Sequence, residues 1–198
     1  MMIENTGNNS KKSDKWRITY NAKFTLSFCL ISFIMLLLNM GTGGWVNNVF
    51  SLSPHLGFTS SYRLVSYIFC HANFEHLVGN YFFLLMLGPI LEEKFGSKLL
   101  ALMTVITAVA TGLVNALVFD SGIIGASGIV FMFIVLASIV NMKSKEVPLT
   151  FIFIVLIYIG GEIVNSFNND NISQFGHIFG GICGGGLGYF FNKESKMN

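Results

Sequence analysis

Charged side chains are scarce in this chain. Only 11% of its 198 residues are Asp, Glu, Lys or Arg, whereas 53% are hydrophobic. A soluble domain carries about 25% charged residues, and a chain of this size cannot hide so much apolar surface in its own core. The mean hydropathy of +0.64 makes lipid its solvent. Cysteine is sparse too. Cys29, Cys70 and Cys183 are far apart in apolar surroundings, with no Cys-x-x-Cys pair. They read as small core hydrophobes, which argues against a disulfide framework or a cysteine metal site. No nucleic-acid signature is present, because the lysines and arginines fall in short clusters between apolar stretches. No secretory signal is expected. The first apolar stretch begins near Phe24, runs too long for one and lacks a small-residue cleavage site.

What is present is a series of apolar stretches at about 24–40, 72–91, 99–119, 127–142, 147–164 and 175–191. Each is close to the ~20 residues that cross a bilayer. The fourth and sixth are short and rich in small residues, which places them inside a bundle. The polar tail of residues 1–22 is solvated or interfacial, with Trp16 and Tyr20 suited to the headgroup level. A long connection, about 41–70, mixes Trp45, Val46, Phe50 and Phe58 with polar residues and fits an amphipathic segment in the interface. If the N-terminus is cytoplasmic, eleven of the twelve lysines and arginines fall on the inner side and only Arg63 lies outside. That asymmetry predicts an all-α, six-span polytopic membrane protein with both termini in the cytoplasm. A membrane domain spans 23–192, and a short tail follows over 193–198.

Spans two, four and six then begin in the outer leaflet, where the suggestive polar residues lie. Gly125-Ala126-Ser127-Gly128 opens span four. A serine there stands at a helix N-terminus, whose free N–H groups and dipole favour a developing oxyanion. On span six, glycines follow His177 at +3, +7 and +11 and so share its face. Small-residue stripes let helices approach closely in membranes. If the partner is span four, His177 reaches Ser127 as its base. The same pattern also reads as a glycine-packed helix with an incidental histidine. On span two, His76 and Asn80 are four apart on one face and both donate hydrogen bonds. They suit an oxyanion hole. In isolation the pair also reads as a polar bridge between helices. His71 ends the preceding loop and is assigned a structural role. Glu162 is left outside the site as an interfacial residue.

Other hydrolytic designs fail by absence. Glu75-His76 lacks the second histidine that His-Glu-x-x-His needs. Asp14, Asp120 and Asp170 lie in the tail or in connections, so no aspartyl pair forms within the spans. Every lysine is on the inner side, away from Ser127. A Ser-His dyad remains, without an aspartate to orient the histidine.

These residues resemble those of the rhomboid intramembrane serine proteases. The segment Tyr62-Arg63-Leu64-Val65-Ser66-Tyr67-Ile68-Phe69-Cys70-His71 is similar to the family's loop into helix 2. His71-x4-His76-x3-Asn80, Leu87-Gly88-x3-Glu92, Phe95-Gly96-Ser97, Gly125-x-Ser127-Gly128 and His177-x2-Gly180-x3-Gly184 follow in family order over about 62–188. The resemblance implies a compact six-helix bundle with a water-accessible site below the outer surface. It makes Ser127 the nucleophile and His177 the general base, with His76, Asn80 and the Ser127 backbone holding the oxyanion. Gly125, Gly128, Phe131, Gly180 and Gly184 support them. It implies an intramembrane serine endopeptidase of the plasma membrane, opening to the extracytoplasmic side. Single-span membrane proteins would be its substrates, and no metal or cofactor would take part. Tyr62, Phe131 and Gly176 depart from the frequent tryptophan, tyrosine and alanine, and no departure removes a reacting group. With no added domain in evidence, the form resembled is the minimal bacterial type. The alternatives are an inactive rhomboid-like protein that binds membrane helices, and a small transporter. Against the transporter, the polar residues gather at one leaflet and no inverted repeat is visible.

A base must be neutral to accept the serine proton. Activity is therefore expected to rise with pH through a midpoint of about 6–7. A flat rate between about pH 5 and 8, with chemistry rate-limiting, would exclude that role for a histidine.

Overall fold

The computed structural model describes residues 19–54, 56–119, 122–140 and 171–194, with a few helical positions between 149 and 157. Most of the 1–22 tail, most of the stretch at 147–164 with Glu162, and the end of the 193–198 tail lie outside the described residues. The long helices are α1 (Lys23–Gly41), α4 (Phe74–Phe95), α5 (Ser97–Val118), α6 (Ser127–Val140) and α7 (Asn171–Glu194). Two short ones, α2 (Trp45–Phe50) and α3 (Arg63–Ser66), lie between α1 and α4. Apart from turns and one antiparallel bridge between Leu52 and Ile123, the described residues are helical. Helices α1, α4 and α5 are each long and apolar enough to cross a membrane.

Two expectations change. The last helix has 24 residues, so it is not the short span expected at 175–191. Polar Asn171, Ser173 and Asn192 continue it at both ends, because helix propensity does not stop where hydropathy does. The connection at 41–70 is not one amphipathic segment. It folds into α2, α3 and turns at Phe58–Ser60 and Tyr67–Phe69.

That connection is held by side chains that satisfy the free carbonyls ending α2. The Arg63 guanidinium donates to the carbonyls of Asn48 at 2.9 Å and Ser51 at 3.2 Å. The Tyr62 hydroxyl donates to Val49 O and the Ser66 hydroxyl to Phe50 O. A cation at a helix C-terminus also suits the negative dipole end. At the start of α2, the Asn39 side-chain oxygen accepts the Asn47 N–H at 2.9 Å.

At the opposite end of the bundle, one carboxylate ties three helices. Glu92, near the end of α4, accepts from Phe24 N at 2.8 Å, Thr25 N at 3.0 Å and the Thr25 hydroxyl at 3.0 Å. The Ser97 hydroxyl, at the start of α5, donates to it at 2.5 Å. These bonds supply the acceptors that the first turn of α1 lacks. Each hydrogen bond to an ionised group contributes about 1.5–3 kcal/mol. The close approach depends on Gly88, one turn earlier, where an added Cβ would run into the Thr25 side chain.

Helix α6 is the buried hub. Ile129, Val130, Met132, Phe133, Ile134 and Leu136 are all buried, as expected of a helix that is apolar all round. Helix α7 lies against it backbone to backbone. A Cβ on Gly180 would run into the Gly128 carbonyl, and one on Gly184 would stand 2.7 Å from the Met132 carbonyl. Outward, α1, α4 and α5 expose Leu37, Phe82, Met86, Leu102 and others. Those faces are where lipid belongs.

Gly180→Leu or Gly184→Leu should force α6 and α7 apart while the protein still inserts. The expected result is loss of at least about 90% of the reactivity of Ser127 toward a serine-directed probe, because misplacement by ~1 Å costs on the order of 10²-fold. Unchanged reactivity in both variants would refute the close-contact requirement.

Candidate active site

The starts of α4 and α6 and the second turn of α7 meet around a cavity of about 590 Å³. Ser127, His177, His76 and Asn80 all line it, with Gly125, Gly128 and Phe131. Gly180 and Gly184 lie one and two turns below, in the α6–α7 contact.

Ser127 is the first residue of α6. The chain reaches it through Gly125, whose φ of +110° is closed to most L-residues. The Gly125 N–H donates to the Tyr67 carbonyl at 3.1 Å, and Ala126 O accepts from both Ile129 N and Val130 N. The serine thus sits where first-turn N–H groups have no intrahelical acceptor. His177 is brought to the same place by glycine packing: a Cβ on Gly128 would stand 3.1 Å from the Gly176 carbonyl. The Phe131 ring, one turn below Ser127, stacks on the His177 imidazole with centroids 4.7 Å apart and planes 7° from parallel. A stacked ring limits the imidazole to few orientations.

Across the cavity, His76 belongs to the first turn of α4. Its N–H is capped by the Asn73 side chain at 2.8 Å, the bond expected of an N-cap asparagine. The edge of its ring lies against Gly125. A Cβ there would come within 2.6 Å of Cε1 and 2.7 Å of Nε2. One turn on, Asn80 is buried, and its amide donates to the His76 carbonyl at 2.9 Å. A carboxamide has two N–H donors, and this bond takes one. The site therefore combines a hydroxyl at a helix N-terminus, a ring-stacked imidazole, and an imidazole and a carboxamide opposite. That set can serve acyl transfer through a serine. Among the described residues lining the cavity there is no carboxylate. No three His, Cys, Asp or Glu among the described residues converge as metal ligands.

His71 lies behind this wall, fully buried and edge-on to His76 with ring centroids 5.1 Å apart. Several residues that carry no site role in the sequence also shape the cavity. Tyr67 lines it, pins Gly125 and anchors its hydroxyl on Ala108 O at 3.2 Å. Thr111 of α5 lines it too. Neither falls in a spacing that marks a site; a buried threonine on an apolar helix was the sole sign. Ile123, whose N–H and C=O both pair with Leu52, ties the loop before Ser127 to the connection after α2.

The sequence profile of the Rhomboid domain matches residues 58–194. The chain is 29% identical over 164 residues to "Rhomboid-like protein 11, chloroplastic" of Arabidopsis thaliana, covering 75% of this chain and 59% of that protein. It is 29% identical over 143 residues to "Rhomboid-like protease 1" of Toxoplasma gondii, covering 67% of this chain and 48% of that protein. The chain thus spans about half the length of these curated relatives.

Gly125→Ala adds a methyl group at a positive φ and drives it into His76. Backbone strain of this kind costs about 1–3 kcal/mol. The expected outcome is a folded protein whose serine reacts with a fluorophosphonate at least ~10-fold more slowly. Wild-type labelling kinetics would show that the loop tolerates displacement of His76.

Proposed function

Since the chain belongs to the rhomboid family, we propose that it is an intramembrane serine endopeptidase that uses Ser127 as nucleophile and His177 as general base. The observation that carries this reading is their meeting in one cavity on two helices in backbone contact. The stacking of Phe131 on the base adds support.

In this mechanism the Ser127 oxygen attacks the scissile carbonyl as His177 takes its proton. The carbonyl oxygen becomes an oxyanion, which N–H groups at the start of α6 stabilise together with His76 and the free N–H of Asn80. His177 then returns the proton to the departing amine, leaving an acyl group on Ser127. Water, deprotonated by the same imidazole, attacks the ester, and the imidazolium returns that proton to the departing Ser127 oxygen as the new carboxylic acid is released and ionises. No step calls on a metal or cofactor. Phe131, stacked on the imidazole, and the helix contact hold its orientation.

The substrates in this reading are single-span membrane proteins cut in or near their spans. The exposed apolar faces of α1, α4 and α5 support an integral multi-pass protein. The lysine and arginine distribution supports six spans, cytoplasmic termini and a site open to the extracytoplasmic side, and the plasma membrane is the location this reading adopts from the family resemblance. The reading extends to a membrane domain over 23–192 with short polar tails.

The test compares wild type, Ser127→Ala and His177→Ala in detergent, with circular dichroism as a folding control. Both variants should lose fluorophosphonate labelling and cleavage of a generic single-span substrate by at least about 10³-fold. Labelling that survives Ser127→Ala would refute the nucleophile. Folded wild type that neither labels nor cuts would favour a helix-binding protein instead.

A further inference from the structure

We propose that His71 is a positioning residue for this reaction: it holds the His76 imidazole against Gly125, and Asn47 anchors it in turn. The proposal rests on the reading of His76 as an oxyanion donor.

Four observations carry it. First, His71 does not line the cavity, so it cannot touch the reacting atoms, yet it is fully buried. Its Nδ1 donates to the Phe69 carbonyl at 3.3 Å, while Nε2 has no hydrogen-bond partner among the described residues. A buried polar atom left unpaired is costly. An apolar side chain would fill the space without that cost, so packing alone does not account for the imidazole. Second, its ring meets His76 edge to face at 69°. Third, the Cε1–Nε2 edge of His76 is against Gly125. The His76 ring therefore touches both His71 and the loop before Ser127, and its direction is constrained by both. Fourth, the His71 backbone is itself fixed from afar. The Asn47 carboxamide donates to the His71 carbonyl at 3.0 Å, and Asn47 N donates to Asn39 of α1. A chain of contacts thus runs from the end of α1, through α2, to the oxyanion side of the cavity.

Burial, and then the neighbouring His76, push the His71 pKa down to about 4, partly offset by the Phe69 carbonyl. His71 is therefore neutral at any pH at which an ordinary histidine acts as a base, and it offers His76 a ring edge rather than a charge.

A positioning role predicts coupling that a merely structural role does not. The experiment measures kcat and KM for a single-span substrate with His71→Ala, His76→Ala, the double variant, His71→Phe and Asn47→Ala, each normalised to folded protein. His71→Ala should lower kcat about 10-fold with KM within about 2-fold, and add nothing to the loss in His76→Ala. His71→Phe, which keeps the ring edge, should recover most of kcat. Asn47→Ala should give a fall of about 3-fold in kcat that also vanishes in a His76→Ala background. The Asn47 cycle carries the test should His71→Ala fail to fold. Losses that multiply in the double variants, or a fall in thermal stability alone with kcat unchanged, would overturn the proposal. Ser127→Ala run alongside separates the two readings. Full activity there would refute the serine mechanism and the positioning with it. An inactive Ser127→Ala with multiplying His71 and His76 losses would remove the positioning role alone.

Discussion

Backbone contact between α6 and α7 is the constraint from which the rest of the structure takes its dimensions. Between lipid-solvated helices there is little hydrophobic force, so association relies on van der Waals contact and polar bonds. Gly180 against the Gly128 carbonyl and Gly184 against the Met132 carbonyl bring the two axes as close as backbones allow. That spacing fixes the distance between the first residue of α6 and the turn of α7 that carries His177. Any larger residue at the contact would reach the site as a displacement, because a buried α6 surrounded by packed side chains has no slack to absorb it. The stack of Phe131 on His177 completes the same interface with side chains.

The other wall of the cavity is built by different means. There, polar side chains bond to free backbone groups: Arg63, Tyr62 and Ser66 at the end of α2, and Asn73 at the start of α4. Each bond answers a requirement that water would meet in a soluble protein. The result is a rigid collar made from a connection rather than a helix. Gly125 is where the two constructions meet, with its N–H on Tyr67 and its Cα against His76.

The two halves differed in how well the sequence announced them. Apolar runs expected at 72–91 and 99–119 form helices at 74–95 and 97–118, because hydropathy over some twenty residues is a strong local signal. The glycines following His177 stood out by their period, and so did His76 and Asn80 by theirs; the structure gathers these residues with Ser127 at one end of the bundle. Side chain to backbone bonds leave no such trace. Glu92 and Thr25 are 67 residues apart, and nothing in either neighbourhood points to the other. The connection after α1 read as one amphipathic piece because its apolar residues obey no single period. Its order comes from Arg63, Asn47 and the Leu52–Ile123 bridge, all contacts between distant positions.

The carboxylate that caps α1 also has a bearing on how the bundle assembles. A ribosome delivers the chain from its N-terminus, so α1 exists before Glu92 has been made. Until α4 and the first turn of α5 arrive, Phe24 and Thr25 must find their acceptors in water or headgroups at the membrane surface. The first turn of α1 therefore takes its final hydrogen bonds from residues made later in the chain, Glu92 of α4 with Ser97 of α5 bonded to the same carboxylate. The two sides of this contact, Phe24–Thr25 and Glu92, come from segments made at different times, and the clasp closes only once both are present.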